Sequence, residues 1–208
     1  MSYVENGNAN AEFFCSNEKA NVFLIGDSIR IGYCATTKEE LADAAEVFYV
    51  AENCRSSQNI IFNLMHWKNR FDATEKVDLV HFNCGHWDAA HWNGAEYSLT
   101  GDQDYERNIR TIIRTIRKLF PNAKIVMATT TPMNPDGSQG NNPRTTAELQ
   151  HLNEIAVKVA GEEQVPVNDL FAFAAPWGSE AYVDSCHYTP EAFETLGKEV
   201  ARVLREYI

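Results

Sequence analysis

The chain has 208 residues, of which 44% are hydrophobic and 23% are charged. This composition indicates one ordinary globular domain, and it excludes a disordered chain, a collagen-like fibre and a coiled coil. The 29 acidic residues outnumber the 18 basic ones, and the formal net charge is -11. Because an acidic surface repels phosphate groups, we expect neither nucleic acid nor an anionic membrane as a partner. The apolar runs are the length of strands and too short to span a bilayer.

The cysteines and the N-terminal residues bear on the compartment. The chain has an odd number of cysteines at irregular spacings: Cys15, Cys34, Cys54, Cys84 and Cys186. This pattern argues against a disulfide framework. The first 20 residues are polar and do not resemble a signal peptide. We therefore expect a cytoplasmic protein with a polar N-terminal extension, residues 1–20, ahead of a single domain, residues 21–208.

The first half of the chain alternates strand and helix patterns. Short apolar runs predict strands over residues 22–26, 47–51 and 77–82. Thr37 and Glu40 have the spacing of a capping box, which predicts a helix that continues into the residues after Glu40. Apolar residues at helical spacing predict a second helix over residues 56–71.

The second half repeats the alternation. Isoleucines at helical spacing predict a helix over residues 100–120, and strands are predicted over residues 124–131 and 165–167. Residues 132–144 are rich in Pro, Gly and Asn, which indicates a mobile loop. Whether that loop forms a lid is left open. Thr145 with Glu148 predicts another capping box, and Thr189 ahead of Pro190 predicts the start of a final helix.

This alternation predicts the fold class. About five strand–helix repeats favour a parallel sheet with helices on both faces, a three-layer α/β/α domain. Sites in such domains form at the carboxyl ends of the strands. Three segments with reactive residue types are expected there, namely 26–28, 85–88 and 184–187.

The first and last of these segments contain a candidate nucleophile and its base. Ser28 follows the first strand in a Gly-Asp-Ser turn, where its N–H lies at a helix N-terminus that favours negative charge. Asp184 and His187 are three residues apart, a spacing that lets the carboxylate orient the imidazole. Each residue also has a structural interpretation: Asp27 or Ser28 as a helix cap, and His187 as a residue that starts a helix.

In this order, Gly-Asp-Ser, Gly-x-x-Asp and Asp-x-x-His resemble the motif blocks of the SGNH hydrolase superfamily, the GDSL-type esterases and lipases, over residues 21–208. The resemblance implies a flavodoxin-like sheet of order 2-1-3-4-5 and ester hydrolysis. It implies that Ser28 is the nucleophile, His187 the general base and then acid, and Asp184 the orienting carboxylate. It also implies that the Ser28 N–H is an oxyanion donor.

The chain departs from the family pattern in two blocks. Cys54 occupies the position of a glycine whose N–H is an oxyanion donor, and a backbone N–H would survive that change. Trp87 replaces an asparagine whose amide is another donor; its indole N–H and the nearby Asn83 are candidate substitutes. Asn83 is equally compatible with a strand-end residue that bonds local backbone.

The substrate is indicated by residues 86–97, which are rich in aromatic residues and follow the third strand. Trp87 and Trp92, with Trp177 from the last loop, would line the cleft and stack on a sugar or an aromatic group. Asp27, beside the nucleophile, completes the expected substrate-binding set. These tryptophans are equally compatible with packing of the loops onto the sheet. We expect small, acetyl-type esters of carbohydrates as substrates.

Other chemistry is expected to be absent or is kept as an alternative. His86 and His91 are five residues apart around Asp88, which does not match the spacing of a metalloprotease helix, so we expect no metal. We expect no other cofactor either, because the first loop lacks the phosphate cradle that FMN requires. The alternatives are a thioesterase or lysophospholipase of the same family, and a non-catalytic ligand-binding module. The oligomeric state is left open.

Overall fold

A computed structural model describes residues 11–137 and 140–208 of the chain. Its single sheet is parallel throughout and has the order β2-β1-β3-β4-β5. The strands are β1 (Ala20–Ile25), β2 (Ala45–Tyr49), β3 (Leu79–Phe82), β4 (Lys124–Ala128) and β5 (Val167–Asn168). The predicted fold class and strand order are confirmed.

Helices cover both faces of this sheet. They are α1 (Ser28–Glu40), α2 (Ser57–Lys68), α3 (His86–Ala89), α4 (Asp102–Leu119), α5 (Thr146–Glu162), α6 (Leu170–Ala174) and α7 (Pro190–Leu204). Alternate residues of β1 point to opposite faces. Phe23 and Ile25 pack in the core that α2, α4 and α5 cover, whereas Val22 and Leu24 pack in the core under α1 and α7.

Some predicted element boundaries are wrong. The sequence predicts a helix that continues beyond Glu40. In the structure, Glu40 is instead the last residue of α1, which begins at Ser28 with Asp27 as its cap. Thr37 lies inside α1, where its hydroxyl donates to the Tyr33 carbonyl at 3.2 Å. The short helices α3 and α6 were not predicted from the sequence. The capping box of Thr145 and Glu148 and the cap at Thr189 are confirmed.

The described part of the N-terminal extension packs against the domain. Phe13 makes ring contacts with Phe23, Phe48 and Phe71, at centroid distances of 5.0 to 6.3 Å. Residues 1–10 of the predicted extension lie outside the described residues. No helix within residues 11–137 and 140–208 has both the length and the apolar character needed to cross a membrane.

The loop that follows β4 reaches residues 184–187. Asn134 donates from its backbone N–H to the Ser185 carbonyl at 2.9 Å and from its amide to the Asp184 carbonyl at 3.0 Å. Residues 138 and 139 of the predicted loop 132–144 lie outside the described residues. The described parts of the loop therefore lie beside residues 184–187.

Candidate active site

The turn after β1 presents Ser28 at the carboxyl edge of the sheet. Asp27 accepts the Ile29 N–H at 3.0 Å and caps α1, so Ser28 is the first residue of the helix. Gly26 is required by close approach, because a Cβ there would lie 2.0 Å from Asn83 Oδ1 and 2.6 Å from Arg30 Cβ. The partly exposed Ser28 hydroxyl therefore stands at a helix N-terminus, where the helix dipole favours negative charge.

The loop before α7 brings an imidazole to this hydroxyl. His187 Nε2 lies 2.7 Å from Ser28 Oγ. On the other side of the ring, His187 Nδ1 lies 2.7 Å from Asp184 Oδ2. The structure thus brings together the three residues predicted to be catalytic, in a chain of two short hydrogen bonds.

The Asp184 carboxylate is held by its own loop. Its Oδ1 accepts the backbone N–H groups of Cys186 at 2.8 Å and His187 at 2.7 Å. Partial burial opposes ionisation of Asp184, but these hydrogen bonds and the imidazole outweigh it and hold the pKa of the carboxyl below its ordinary value. Asp184 is therefore ionised at neutral pH and accepts the His187 Nδ1–H.

Buried Cys186 adds a second group beside the imidazole. The Cys186 sulfur, 3.8 Å from Nδ1, acts together with Asp184 to raise the pKa of His187 to about 9, against the opposing effect of burial. The Arg144 guanidinium donates to the same sulfur at 3.1 Å. Asp184 and Cys186 therefore favour the imidazolium form of His187, which is the form that proton transfer from Ser28 produces.

Arg144 also joins the site to the segment after β3. Its Nε donates to His86 Nδ1 at 3.1 Å, and His86 Nε2 lies 3.3 Å from the Thr131 hydroxyl. Burial holds the pKa of His86 well below its ordinary value, and the Arg144 charge adds to this effect. His86 is therefore a neutral side chain that positions the Arg144 guanidinium.

A cavity of about 390 Å³ opens at Ser28. Its lining is polar and aromatic, and consists of Ser28, Asn53, His86, Trp87, Trp92, Asn142, Arg144 and His187. Trp87 and Trp92 pack against each other with ring centroids 4.6 Å apart, and the Arg55 guanidinium lies 5.6 Å from the Trp87 ring. Both tryptophans also line an adjacent groove of about 380 Å³. They therefore link the cavity to the groove.

Asp88 fastens the segment that contains these tryptophans. Its buried carboxylate accepts the Ser57 N–H at 3.0 Å and hydroxyl at 2.6 Å, and the Thr100 hydroxyl at 2.8 Å. Burial raises the pKa of Asp88, although these hydrogen bonds favour its ionised form. The network joins the start of α2 to both ends of the segment 86–100.

Two predicted oxyanion donors must be corrected. The Cys54 N–H donates to the Gly26 carbonyl at 3.1 Å, so it does not face the cavity as a donor. Asn83 is 2% exposed, and its amide nitrogen lies 3.5 Å from Asp27 Oδ1 beneath the turn. Asn83 therefore matches the structural alternative, a strand-end residue that bonds its surroundings.

Two predicted substrate-binding residues also lie elsewhere. Asp27 is fully buried as the cap of α1, and burial raises its pKa. Trp177 packs against Phe173 and Tyr188 at centroid distances of 5.6 and 5.4 Å, in the core next to α1 and α7. Neither side chain lines the cavity at Ser28. Trp87 and Trp92 do line it.

The three residues considered as metal ligands, His86, Asp88 and His91, bond to different partners. His91 contacts Glu148 at 2.8 Å and the Ala95 carbonyl at 3.0 Å, whereas His86 bonds Arg144 and Asp88 bonds the start of α2. Within the described residues, the one cluster with metal-ligating geometry is Asp184, Cys186 and His187, which shares two residues with the hydrogen-bonded chain from Ser28.

The sequence analysis missed three residues that line the cavity. Asn53 directly precedes Cys54, in the motif block that departs from the family pattern. This position is the sequence signal that could have identified Asn53 as a cavity residue. Asn142 and Arg144 belong to the loop after β4, and no local pattern distinguishes them from other loop residues. Only the packing of that loop against residues 184–187 brings them to Ser28.

A parallel α/β/α domain with a serine, a histidine and a carboxylate in hydrogen-bond contact at the carboxyl edge of its sheet is typical of the hydrolytic esterases. The model of the GDSL-like Lipase/Acylhydrolase family matches residues 24–194. The chain therefore belongs to the GDSL-like Lipase/Acylhydrolase family. No curated protein matches the sequence.

Solved structures with the same fold include several esterases. The chain is similar to a lipase/acylhydrolase from Enterococcus faecalis, with 18% identity, coverage of 90% of this chain and 96% of that one, and a TM-score of 0.70. It is similar to the acetyl xylan esterase AlAXEase, with 17% identity, coverage of 88% and 99%, and a TM-score of 0.69. It is also similar to Est24, a carbohydrate acetylesterase from Sinorhizobium meliloti, with 13% identity, coverage of 91% and 100%, and a TM-score of 0.71.

Proposed function

We propose that this protein removes small, acetyl-type acyl groups from carbohydrates through an acyl-enzyme on Ser28. The observation that carries the proposal is the distance of 2.7 Å between Ser28 Oγ and His187 Nε2. A serine hydroxyl is a weak nucleophile until a base accepts its proton, and an imidazole at this distance is placed to do so.

In the first half of the reaction, Ser28 Oγ attacks the ester carbonyl carbon while His187 Nε2 accepts the hydroxyl proton. Asp184 keeps the other ring proton on Nδ1 and stabilises the imidazolium that forms. The tetrahedral intermediate collapses, and His187 returns its proton to the departing alcohol oxygen. The product of this half-reaction is an ester between Ser28 and the acyl group.

In the second half, water attacks the acyl carbon and His187 accepts one of its protons. Collapse of the second intermediate releases the carboxylic acid and restores the Ser28 hydroxyl. Both intermediates carry a negative charge on the former carbonyl oxygen. The Ser28 N–H is a donor for that charge, since it lies at the start of α1 and no hydrogen bond among the described residues engages it. Loss of one such donor typically raises the barrier by about 3–4 kcal/mol.

The lining of the cavity supports a carbohydrate substrate. Aromatic rings together with amide side chains suit the faces and hydroxyls of a sugar better than they suit a long acyl chain. Trp87 and Trp92 supply the rings, and Asn53 and Asn142 supply the amides. The structural neighbours named acetyl xylan esterase and carbohydrate acetylesterase add support from the fold.

The test compares wild type with Ser28→Ala on p-nitrophenyl acetate and on acetylated oligosaccharides. The variant should lose turnover by at least about 1,000-fold, because removal of a nucleophile disables the whole catalytic unit. Circular dichroism and the unfolding midpoint should stay close to those of wild type. Wild-type rates in a folded Ser28→Ala protein would reject the proposal.

A chain-length series tests the alternative of a thioesterase or lysophospholipase. The groove next to the cavity contains the exposed side chains of Phe62 and Leu99, which offer apolar contact to a longer chain. We expect kcat/KM on p-nitrophenyl esters to fall from acetate to decanoate. A maximum at long chains would replace the carbohydrate proposal with the alternative.

A further inference from the structure

The oxyanion site of this protein needs a donor besides the Ser28 N–H. The developing oxygen of a tetrahedral intermediate accepts more than one hydrogen bond, and each preorganised donor contributes strongly in a water-poor cavity. The N–H of Cys54 and the amide of Asn83 are directed elsewhere. The second donor must therefore come from another residue that lines the cavity at Ser28.

Asn53 lines this cavity and is tied to the turn of the nucleophile. The residue after it, Cys54, donates its N–H to the carbonyl of Gly26, which is two residues before Ser28. This backbone bond fixes the loop 51–56 against the Gly26-Asp27-Ser28 turn. Asn53 is therefore held on the same side of the cavity as the nucleophile.

The Asn53 side chain is oriented by its own loop. Its Oδ1 accepts the Arg55 N–H at 2.8 Å, in a turn where Arg55 adopts a left-handed conformation with φ of +58°. The oxygen end of the amide is thus occupied by the backbone. The Nδ2 end has no hydrogen-bond partner among residues 11–137 and 140–208, so it is the end that the cavity can use.

Two other polar residues of the cavity, His86 and Asn142, are committed differently. Both ring nitrogens of His86 are engaged, by Arg144 and by Thr131. Asn142 accepts the Asn93 N–H at 3.0 Å, which ties it to the turn that contains Trp92 and not to the turn of the nucleophile.

We propose that Asn53 is a catalytic residue whose Nδ2–H donates to the oxyanion of the substrate carbonyl. The inference rests on the proposed esterase function and names a residue that the motif blocks did not indicate. Asn53 forms no covalent bond in this role. It binds the charged oxygen more strongly than the neutral carbonyl, so its contribution belongs to kcat and not to KM.

The test is the substitution Asn53→Asp, with Asn53→Ala beside it. Asp retains the oxygen that accepts the Arg55 N–H, so the loop is preserved, but it replaces the Nδ2 donor with a negative charge. We expect kcat on p-nitrophenyl acetate to fall by about 100-fold to 1,000-fold in both variants, with KM changed by less than about 3-fold. A merely structural role predicts that Asp preserves activity and Ala does not.

A second readout separates an oxyanion contact from a loss of loop structure. Sulfur accepts hydrogen bonds weakly, so Asn53→Asp should depress turnover of an oxoester more than that of the matching thionoester. If Asn53→Asp does not fold, Asn53→Ser takes its place, because a serine hydroxyl can accept the same turn N–H without reaching the oxyanion.

Two comparison variants make the outcome decisive. Trp87→Phe retains the ring and removes the indole N–H, and Asn142→Ala removes the other amide of the cavity. The inference is overturned if folded Asn53→Asp retains kcat within about 3-fold of wild type. It is also overturned if Trp87→Phe or Asn142→Ala, and not Asn53→Asp, shows the large fall in kcat with unchanged KM. Loss of activity in Ser28→Ala beside an active Asn53→Asp would overturn this inference alone and leave the proposed esterase intact.

Discussion

His81 makes the stability of this protein depend on pH in the acid range. It lies in β3 between Leu24 of β1 and Val126 of β4, is fully buried, and packs edge-on against Tyr33 at 6.3 Å. Neither of its ring nitrogens has a hydrogen-bond partner among the described residues. Burial lowers the pKa of His81 from 6.5 to about 3. The ring is therefore neutral in the folded protein above about pH 3.

The sign and size of the effect follow from that shift. Below about pH 6.5 the unfolded chain binds a proton at His81 that the folded chain does not bind, so acidification favours unfolding. Each pH unit below 6.5 removes about 1.4 kcal/mol until the folded pKa near 3 is reached. Between pH 7 and pH 5, His81 should therefore cost about 2 kcal/mol of unfolding free energy.

The substitution His81→Leu tests this prediction. It places a side chain without titratable groups in an apolar surrounding and removes two unpaired nitrogens. Urea unfolding followed by circular dichroism at pH 5, 6 and 7 gives the free energy of both proteins. The advantage of the variant over wild type should grow by about 2 kcal/mol as the pH falls to 5. An advantage that stays constant with pH would refute the assignment of a buried, neutral and unpaired His81.

Two further predictions concern catalysis and packing. The pKa of His187 near 9 predicts that kcat/KM rises with pH through the neutral range, and Cys186→Ala should move the midpoint to lower pH; an unmoved midpoint would contradict the effect of the sulfur. Gly197→Ala should destabilise the contact of α1 with α7 by about 1–3 kcal/mol in urea unfolding, because a Cβ there would lie 2.6 Å from Thr36 Cβ. Gly161→Ala in α5 is the matched control, since its Cβ meets nothing within 4 Å, and a loss as large there would contradict the packing argument.

The fold could be predicted from the sequence because each strand and helix shows its hydrophobic periodicity over a few residues. The start of α1 shows the limit of such local patterns. Thr37 and Glu40 have the spacing of a capping box, but both lie within α1, whose start is capped by Asp27. Competition between two local signals is decided by packing, which the sequence does not display.

The three candidate catalytic residues could be predicted for a different reason. Ser28, Asp184 and His187 stand in motif blocks at the ends of elements, and the parallel topology brings such ends together. The direction of a backbone N–H has no sequence signature, so the corrected role of Cys54 required coordinates. The same holds for Asn53, one residue away, whose amide is aimed by a turn in which the next residue but one adopts a positive φ.

Reaction with a fluorophosphonate probe, followed by mapping of the adduct by mass spectrometry, tests the central claim most directly. The probe reacts with a serine only where a base and an oxyanion site activate the hydroxyl. We expect a single adduct on Ser28 of the wild-type protein, and strongly reduced labelling of that position in His187→Ala. An unlabelled Ser28 in folded wild-type protein, or labelling that is indifferent to His187, would contradict the account.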